Sequence, residues 1–184
     1  NLFIKKYNMK NFILHVGHLG AERKNTLRLL KALKTIDYPT VIIGNVLHNN
    51  EGEKCLDLIN KNSNILFLNW MKHSDPMLES AYAASKIFLL PSLYETPGRS
   101  ALEAALAKSN IVITPYGGTK EYFSNYATYV NPYSVENIQK NIITALNSPK
   151  SDALANHIKN NFYWDKIANK TKQEYEKIIF NDKK

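Results

Sequence analysis

The chain has 184 residues, 44% of them apolar and 22% charged, with a formal net charge of +8 at pH 7. That length suits one globular domain or one lobe of a larger enzyme, and it buries most of a core without covalent staples. The single cysteine, Cys55, excludes an internal disulfide framework and fits a reducing, cytoplasmic setting.

In chain order, residues 1–10 read as a linker or leading segment. They lack both the apolar core of a signal peptide and an initiating methionine, which suggests a segment of a longer chain. Phe12–Val16 is the first strand candidate, followed by a helical stripe of Leu27, Leu29, Leu30, Ala32 and Leu33 across 24–36. Thr40–Ile43 is the second strand. Glu51–Asn60, which includes Cys55 and carries Leu56 and Ile59, reads as a helix, and Ile65–Leu68 as the third strand. Ser74-Asp75-Pro76 is a good helix start, with Leu78, Ala81 and Tyr82 on the apolar face behind it. Ile87–Leu90, Ile111–Thr114 and Thr128–Val130 supply three more strands, with helices over 98–108 and 134–147. From Ser151 to Phe180 only helical spacing remains, through Leu154, Ile158, Phe162, Ile167, Tyr175, Ile178 and Ile179, which predicts one or two closing helices.

Continuous apolar runs suit parallel strands covered on both faces. Their alternation with helices predicts an α/β fold, a Rossmann-like doubly wound parallel sheet of about six strands with C-terminal closing helices. The expected organisation is a leading segment over 1–10, a Rossmann-like domain over 11–150, and closing helices over 151–184 that pack on the same domain or on a neighbouring lobe. Ligands in such sheets bind outside the carboxyl ends of the strands, so the informative loops are 17–25, 44–50, 69–74, 91–99 and 115–120. No run approaches the ~20 apolar residues of a membrane span. The late cations Lys166, Lys170, Lys172 and Lys177 alternate with Asp165, Glu174 and Glu176 as on a solvated helix face. Nucleic acid is not expected as a partner, because no arginine-rich block or aromatic single-strand platform occurs.

The richest stretch runs from Pro91 to Ala104, out of a strand, through a turn and into an alanine-rich helix. Glu95 and Glu103 lie eight positions apart within it. Helix-start amides around Gly98, Arg99, Ser100 and Ala101 suit phosphate, and carboxylates accept hydrogen bonds from hydroxyls. Glu103 admits two readings. Ser100-x-x-Glu103 fits a capping box; alternatively Thr96 caps the helix with Pro97 at its first position, and Glu103 faces a ligand or the core. Gly17, His18, Arg23 and Lys24 follow the first strand, in a turn able to hold a diphosphate or simply to connect strand and helix. Gly117-Gly118-Thr119 follows the fifth strand and permits close backbone approach. His15, inside a strand, reads as a core histidine. His48, His73 and His157 have no partners at metal-ligand spacing, so no metal site or cofactor is expected.

Taken together and in this order, these segments resemble the C-terminal, donor-binding lobe of family 4 (group 1) retaining glycosyltransferases of the GT-B fold. Glu95 and Glu103 match that family's E-x7-E motif, Leu90–Tyr94 its lead-in, and Gly117–Glu121 the loop that follows. Arg23-Lys24-Asn25 matches its basic segment and Phe162–Ala168 the start of its terminal helix. The resemblance implies that Arg23 or Lys24 contacts the donor diphosphate without a metal, Glu95 the transferred sugar and Glu103 the ribose. It further implies hexosyl transfer to a glycan or lipid-linked acceptor held by a second, N-terminal lobe, with the present lobe inactive alone. A peripheral contact with the inner face of the membrane is the further partner in view. His18 stands where the family often has arginine, and Pro97 where an aromatic is usual. A GT-B sugar-nucleotide epimerase lobe and a non-catalytic nucleotide-sugar binding or interaction module are the alternatives.

Overall fold

The computed structural model describes residues 1–181. The strands β1 (Phe12–Val16), β2 (Thr40–Ile43), β3 (Ile65–Leu68), β4 (Ser85–Leu90), β5 (Asn110–Ile113) and β6 (Thr128–Tyr129) form one all-parallel sheet. Their order is β3-β2-β1-β4-β5-β6. Sheet growth therefore reverses between β1 and β4, and the loops leaving those two strands diverge to open a crevice.

The helices are α1 (Leu2–Tyr7), α2 (Thr26–Leu33), α3 (Asn50–Asn60), α4 (Pro76–Ala84), α5 (Arg99–Leu106), α6 (Thr119–Phe123), α7 (Val135–Asn147), α8 (Ala153–Phe162) and α9 (Trp164–Asn181). The two-residue alternation of each strand decides which helices it meets. Phe12, Leu14, Phe88, Leu90, Ile111 and Ile113 pack with residues of α1, α4, α5 and α8. Ile13, Ile87, Leu89 and Val112 pack on the other face with Leu29 and Leu33 of α2 and Ile138 and Ile142 of α7. Ile42 closes a smaller cluster with Leu30, Cys55 and Ile59. Burial pushes the Cys55 thiol up to about 11, so it is an inert packing group.

Side-chain caps start several helices. Asp75 accepts from the Met77 amide at 2.8 Å ahead of α4, with Pro76 at its first position. Asn49 does the same for α3 and Ser134 for α7. Helix α5 differs from both expected starts. Its cap is Gly98, at φ 82°, with no side-chain cap at all. Neither Thr96 nor the Ser100–Glu103 box performs that role, and Glu103 is left for the cleft.

The leading segment carries a helix of its own, α1, six residues long and too short to show a period. Phe3 is fully buried against Tyr7 and Phe12, with ring centroids 4.7 and 5.0 Å away. Ser80 of α4 accepts from the Phe3 amide at 2.9 Å and donates to Asn1 at 2.6 Å. Phe3→Ala is expected to cost about 3–5 kcal/mol in urea unfolding, the usual cost of emptying a phenylalanine site. A bare tether would show no such loss. At the other end α8 packs on α5 and α6, whereas α9 leaves Trp164, Tyr175, Ile178 and Ile179 exposed. The last residues of the predicted closing segment, 182–184, lie outside the described residues. No described helix is long and apolar enough to cross a membrane.

Candidate active site

At the carboxyl ends of β1 and β4 lies a cleft of about 570 Å³. Glu95 forms its floor and is 4% exposed. Lys24 Nζ and Ser92 Oγ both donate to a single oxygen of its carboxylate, each at 2.7 Å from Oε1, and Arg23 Nη1, which donates to the Tyr94 carbonyl at 3.1 Å, forms an ion pair with the same oxygen at 2.9 Å. The other oxygen, Oε2, has no hydrogen-bond partner among the described residues. Burial alone would raise the Glu95 pKa. The bonds from Lys24 and Ser92 and the charges of Lys24 and Arg23 outweigh it and hold the carboxyl below its ordinary value.

The backbone fixes this carboxylate as firmly as its partners do. Glu95 N–H donates to the Tyr116 carbonyl at 3.1 Å, and its own carbonyl accepts from Gly118 at 2.9 Å. The loop after β1 is fastened to the loop after β4 at two points. Leu93 N–H donates to the Arg23 carbonyl at 2.9 Å, and the buried Asn25 amide bridges the carbonyls of Pro91 and Pro132 at 2.9 and 2.7 Å. Asn25, which the sequence offers only as a neighbour of two cations, is the clamp that sets them over Glu95.

Below this cluster His15 is fully buried and pushed down to about 4, chiefly by burial. It is neutral at pH 7, and its Nδ1–H donates to the Leu89 carbonyl at 2.8 Å. The core reading of His15 holds. His18 borders the cleft with Gly17, its Nδ1 accepting from the Asn45 amide at 3.1 Å.

Beside Glu95 stands the start of α5. The Ala101 and Leu102 amides turn back to the Gly98 carbonyl, at 2.9 and 3.1 Å. With no side-chain cap present, the amides of Arg99 and Ser100 are left for a ligand at the positive end of the helix. The Arg99 side chain lines the cleft and has no ion pair among the described residues. One turn further on, Glu103 enters the cleft with Oε1 at 3.3 Å from His73 Nδ1.

The structure thus brings Gly17, His18, Arg23, Lys24, Glu95, Gly98, Arg99, Ser100 and Glu103 to one cleft. Three expected members stand outside its lining. Ala101 is fully buried with its amide occupied, Gly118 gives its amide to Glu95, and Thr119 is fully buried with its hydroxyl on the Thr114 carbonyl at 2.8 Å. They hold the frame behind the cleft. The far wall, Trp70, Met71, His73 and Tyr82, is new. For Trp70, Met71 and His73 the signal in the sequence is position alone, since 69–74 leaves the end of β3, whereas Tyr82 comes from α4. Among the described residues no group of three His, Cys, Asp or Glu side chains is placed to hold a metal ion.

The sequence that carries this basic loop, buried glutamate and open helix start matches a family model. The glycosyl transferases group 1 model spans residues 3–163. The chain belongs to this family. No curated protein matches it. Among solved structures, this group 1 chain is similar to a glycosyltransferase from Rickettsia africae ESF-5, with TM-score 0.79 and 22% identity over 96% of this chain and 50% of that one. It is similar also to a sucrose-phosphate synthase from Thermosynechococcus elongatus, with TM-score 0.76 and 18% identity over 97% and 48%. The C-terminal domain of a group 1 family protein (LpcC) from Francisella tularensis matches at TM-score 0.67 and 19% identity, over 89% of this chain and 92% of that domain. The chain therefore spans about half the length of the first two structures and nearly all of the third, a C-terminal domain.

Proposed function

We propose that this lobe binds the nucleoside diphosphate sugar of a retaining hexosyltransferase, whose acceptor, a glycan or lipid-linked glycan, sits on a second lobe. The observation that carries the reading is the asymmetry of Glu95. Its Oε1 takes hydrogen bonds from Lys24 and Ser92 and the ion pair with Arg23, while Oε2 is open to a ligand hydroxyl. A carboxylate fixed in that way accepts a hydrogen bond from the sugar without reorganising.

The chemistry then follows from charge. As the bond between the sugar C1 and the diphosphate oxygen breaks, the leaving group keeps the electron pair and gains negative charge. Lys24, Arg23, Arg99 and the α5 amides surround the place where that charge develops, and Glu103 takes the ribose hydroxyls. The acceptor oxygen forms the new bond to C1 and passes its proton to the departing diphosphate oxygen. Cationic side chains meet the diphosphate charge in this scheme, and the reaction belongs with cytoplasmic assembly of surface polysaccharide.

Titration calorimetry of the full-length protein with UDP, GDP, ADP and their hexose conjugates tests the reading. One nucleotide should bind, and Lys24→Ala and Glu103→Ala should each weaken it by about 1.5–3 kcal/mol, the value of a hydrogen bond to a charged group. A folded protein that binds none of the panel would sink the proposal.

A further inference from the structure

Tyr82 of α4 presents a hydroxyl that the fold does not need. The residue is 4% exposed, and its ring packs on Phe88 with centroids 5.8 Å apart. Its carbonyl accepts from Ser85 and Ser109 at 2.9 and 3.1 Å. The phenolic oxygen, by contrast, is buried and has no hydrogen-bond partner among the described residues. Burying an unpaired hydroxyl is unfavourable, and phenylalanine would fill the same space without it. The oxygen calls for a reason outside stability.

Its position supplies one. A second cavity, lined by Ser74, Glu79, Leu106 and Ala107, adjoins the donor cleft, and His73, Tyr82 and Glu103 are common to both. Burial pushes the phenol up, and so do the charge of Glu103 and its carboxylate oxygens, which lie near the phenolic oxygen without a formed hydrogen bond; the phenol therefore carries its proton at any physiological pH and can only act towards that carboxylate as a donor. Glu103 is half-buried and in this structure leans to the exposed His73 ring. A carboxylate has about four acceptor sites, enough for a phenol and a vicinal diol together.

We propose that Tyr82 is the positioning residue for Glu103: its hydroxyl donates to that carboxylate when a ribose enters, turning Glu103 from His73 to grip the 2′- and 3′-hydroxyls. Tyr82 thereby makes the site selective for ribonucleotides over their deoxy forms. The inference rests on the donor reading above, in which Glu103 takes the ribose.

The test compares the full-length wild type with Tyr82→Phe, Glu103→Ala and the double variant. Each is titrated with the nucleoside diphosphate that wild type binds and with its 2′,3′-dideoxy counterpart. Tyr82→Phe should lose about tenfold in affinity for the ribonucleotide, stay within about twofold for the dideoxy form, and melt no lower than wild type. It should add nothing to Glu103→Ala, because its effect passes through that carboxylate. Equal losses on both ligands, or a full additional loss in the double variant, would overturn the positioning role. If wild type binds and Tyr82→Phe matches it, this inference alone falls. If wild type binds neither ligand, the donor reading falls and takes the inference with it.

Discussion

Glu95→Gln is expected to lower sugar transfer by the full-length protein about 10²- to 10³-fold, the scale of removing one preorganised polar group from a reaction centre. The same change should destabilise the lobe by about 3 kcal/mol, the low end for breaking a buried ion pair. The low end applies because Arg23 and Lys24 keep 40% and 20% of their side-chain surface exposed and can turn to water. The stability loss has a definite pH signature. Glu95 titrates below its ordinary value of 4.5 in the folded lobe, so folding favours its ionised form. Its contribution is present in full above the unfolded value and is lost as pH falls through the folded one. Urea unfolding should therefore separate wild type from Glu95→Gln at pH 7, with the gap closing below about pH 4.5. A gap that persisted in acid would mean that packing, not the ion pair, holds this loop.

Strands and helices were legible because their apolar periods are strong and their caps local. Ser74-Asp75-Pro76 marks the start of α4 from three adjacent residues, and the uninterrupted run Ile87–Leu90 marks a central parallel strand. The cleft was half legible for the same reason. Glu95 and Lys24 stand 71 positions apart in sequence, yet each sits at a fixed offset from a strand end, and the sheet order alone makes those ends neighbours. What the sequence concealed depends on long-range satisfaction of polar groups. Nothing in Lys24-Asn25 tells that Asn25 reaches two distant carbonyls, or in Gly118-Thr119 that both donors face inward. Tyr82 shows the limit best. Its place on an apolar helix face identifies the ring as core, and that is right. The fate of its hydroxyl is decided by Glu103 on another helix, which no local pattern records. The cap of α5, though not the position of the helix, is hidden for a related reason. Glycine at φ 82° opens this helix, whereas side-chain caps elsewhere set a different expectation.

Gly117 offers a backbone route to the same carboxylate, and Gly117→Ala is expected to be nearly as damaging as losing Glu95 itself. The glycine sits at φ 86°, where alanine is strained by about 1–2 kcal/mol. Space is the larger obstacle. A Cβ there would stand 2.2 Å from the Glu95 carbonyl oxygen and 3.0 Å from its carbonyl carbon, both backbone atoms that cannot swing aside. Relief requires Glu95 to move, and with it the pairing of its amide to Tyr116 and its carbonyl to Gly118. A shift of about 1 Å is enough to cost roughly 10²-fold in a positioned reaction. The adjacent Gly118 is the internal control. Its Cβ would meet only a Tyr122 ring carbon at 3.7 Å, and it needs no positive φ. Gly118→Ala should therefore stay close to wild type in both Tm and transfer, while Gly117→Ala loses at least about 2 kcal/mol and most of its activity. The paired glycines that suggest close approach to a ligand would then have distinct duties, the first giving way to the backbone of the glutamate that the ligand meets. Equal behaviour of the two variants would remove Gly117 from that role.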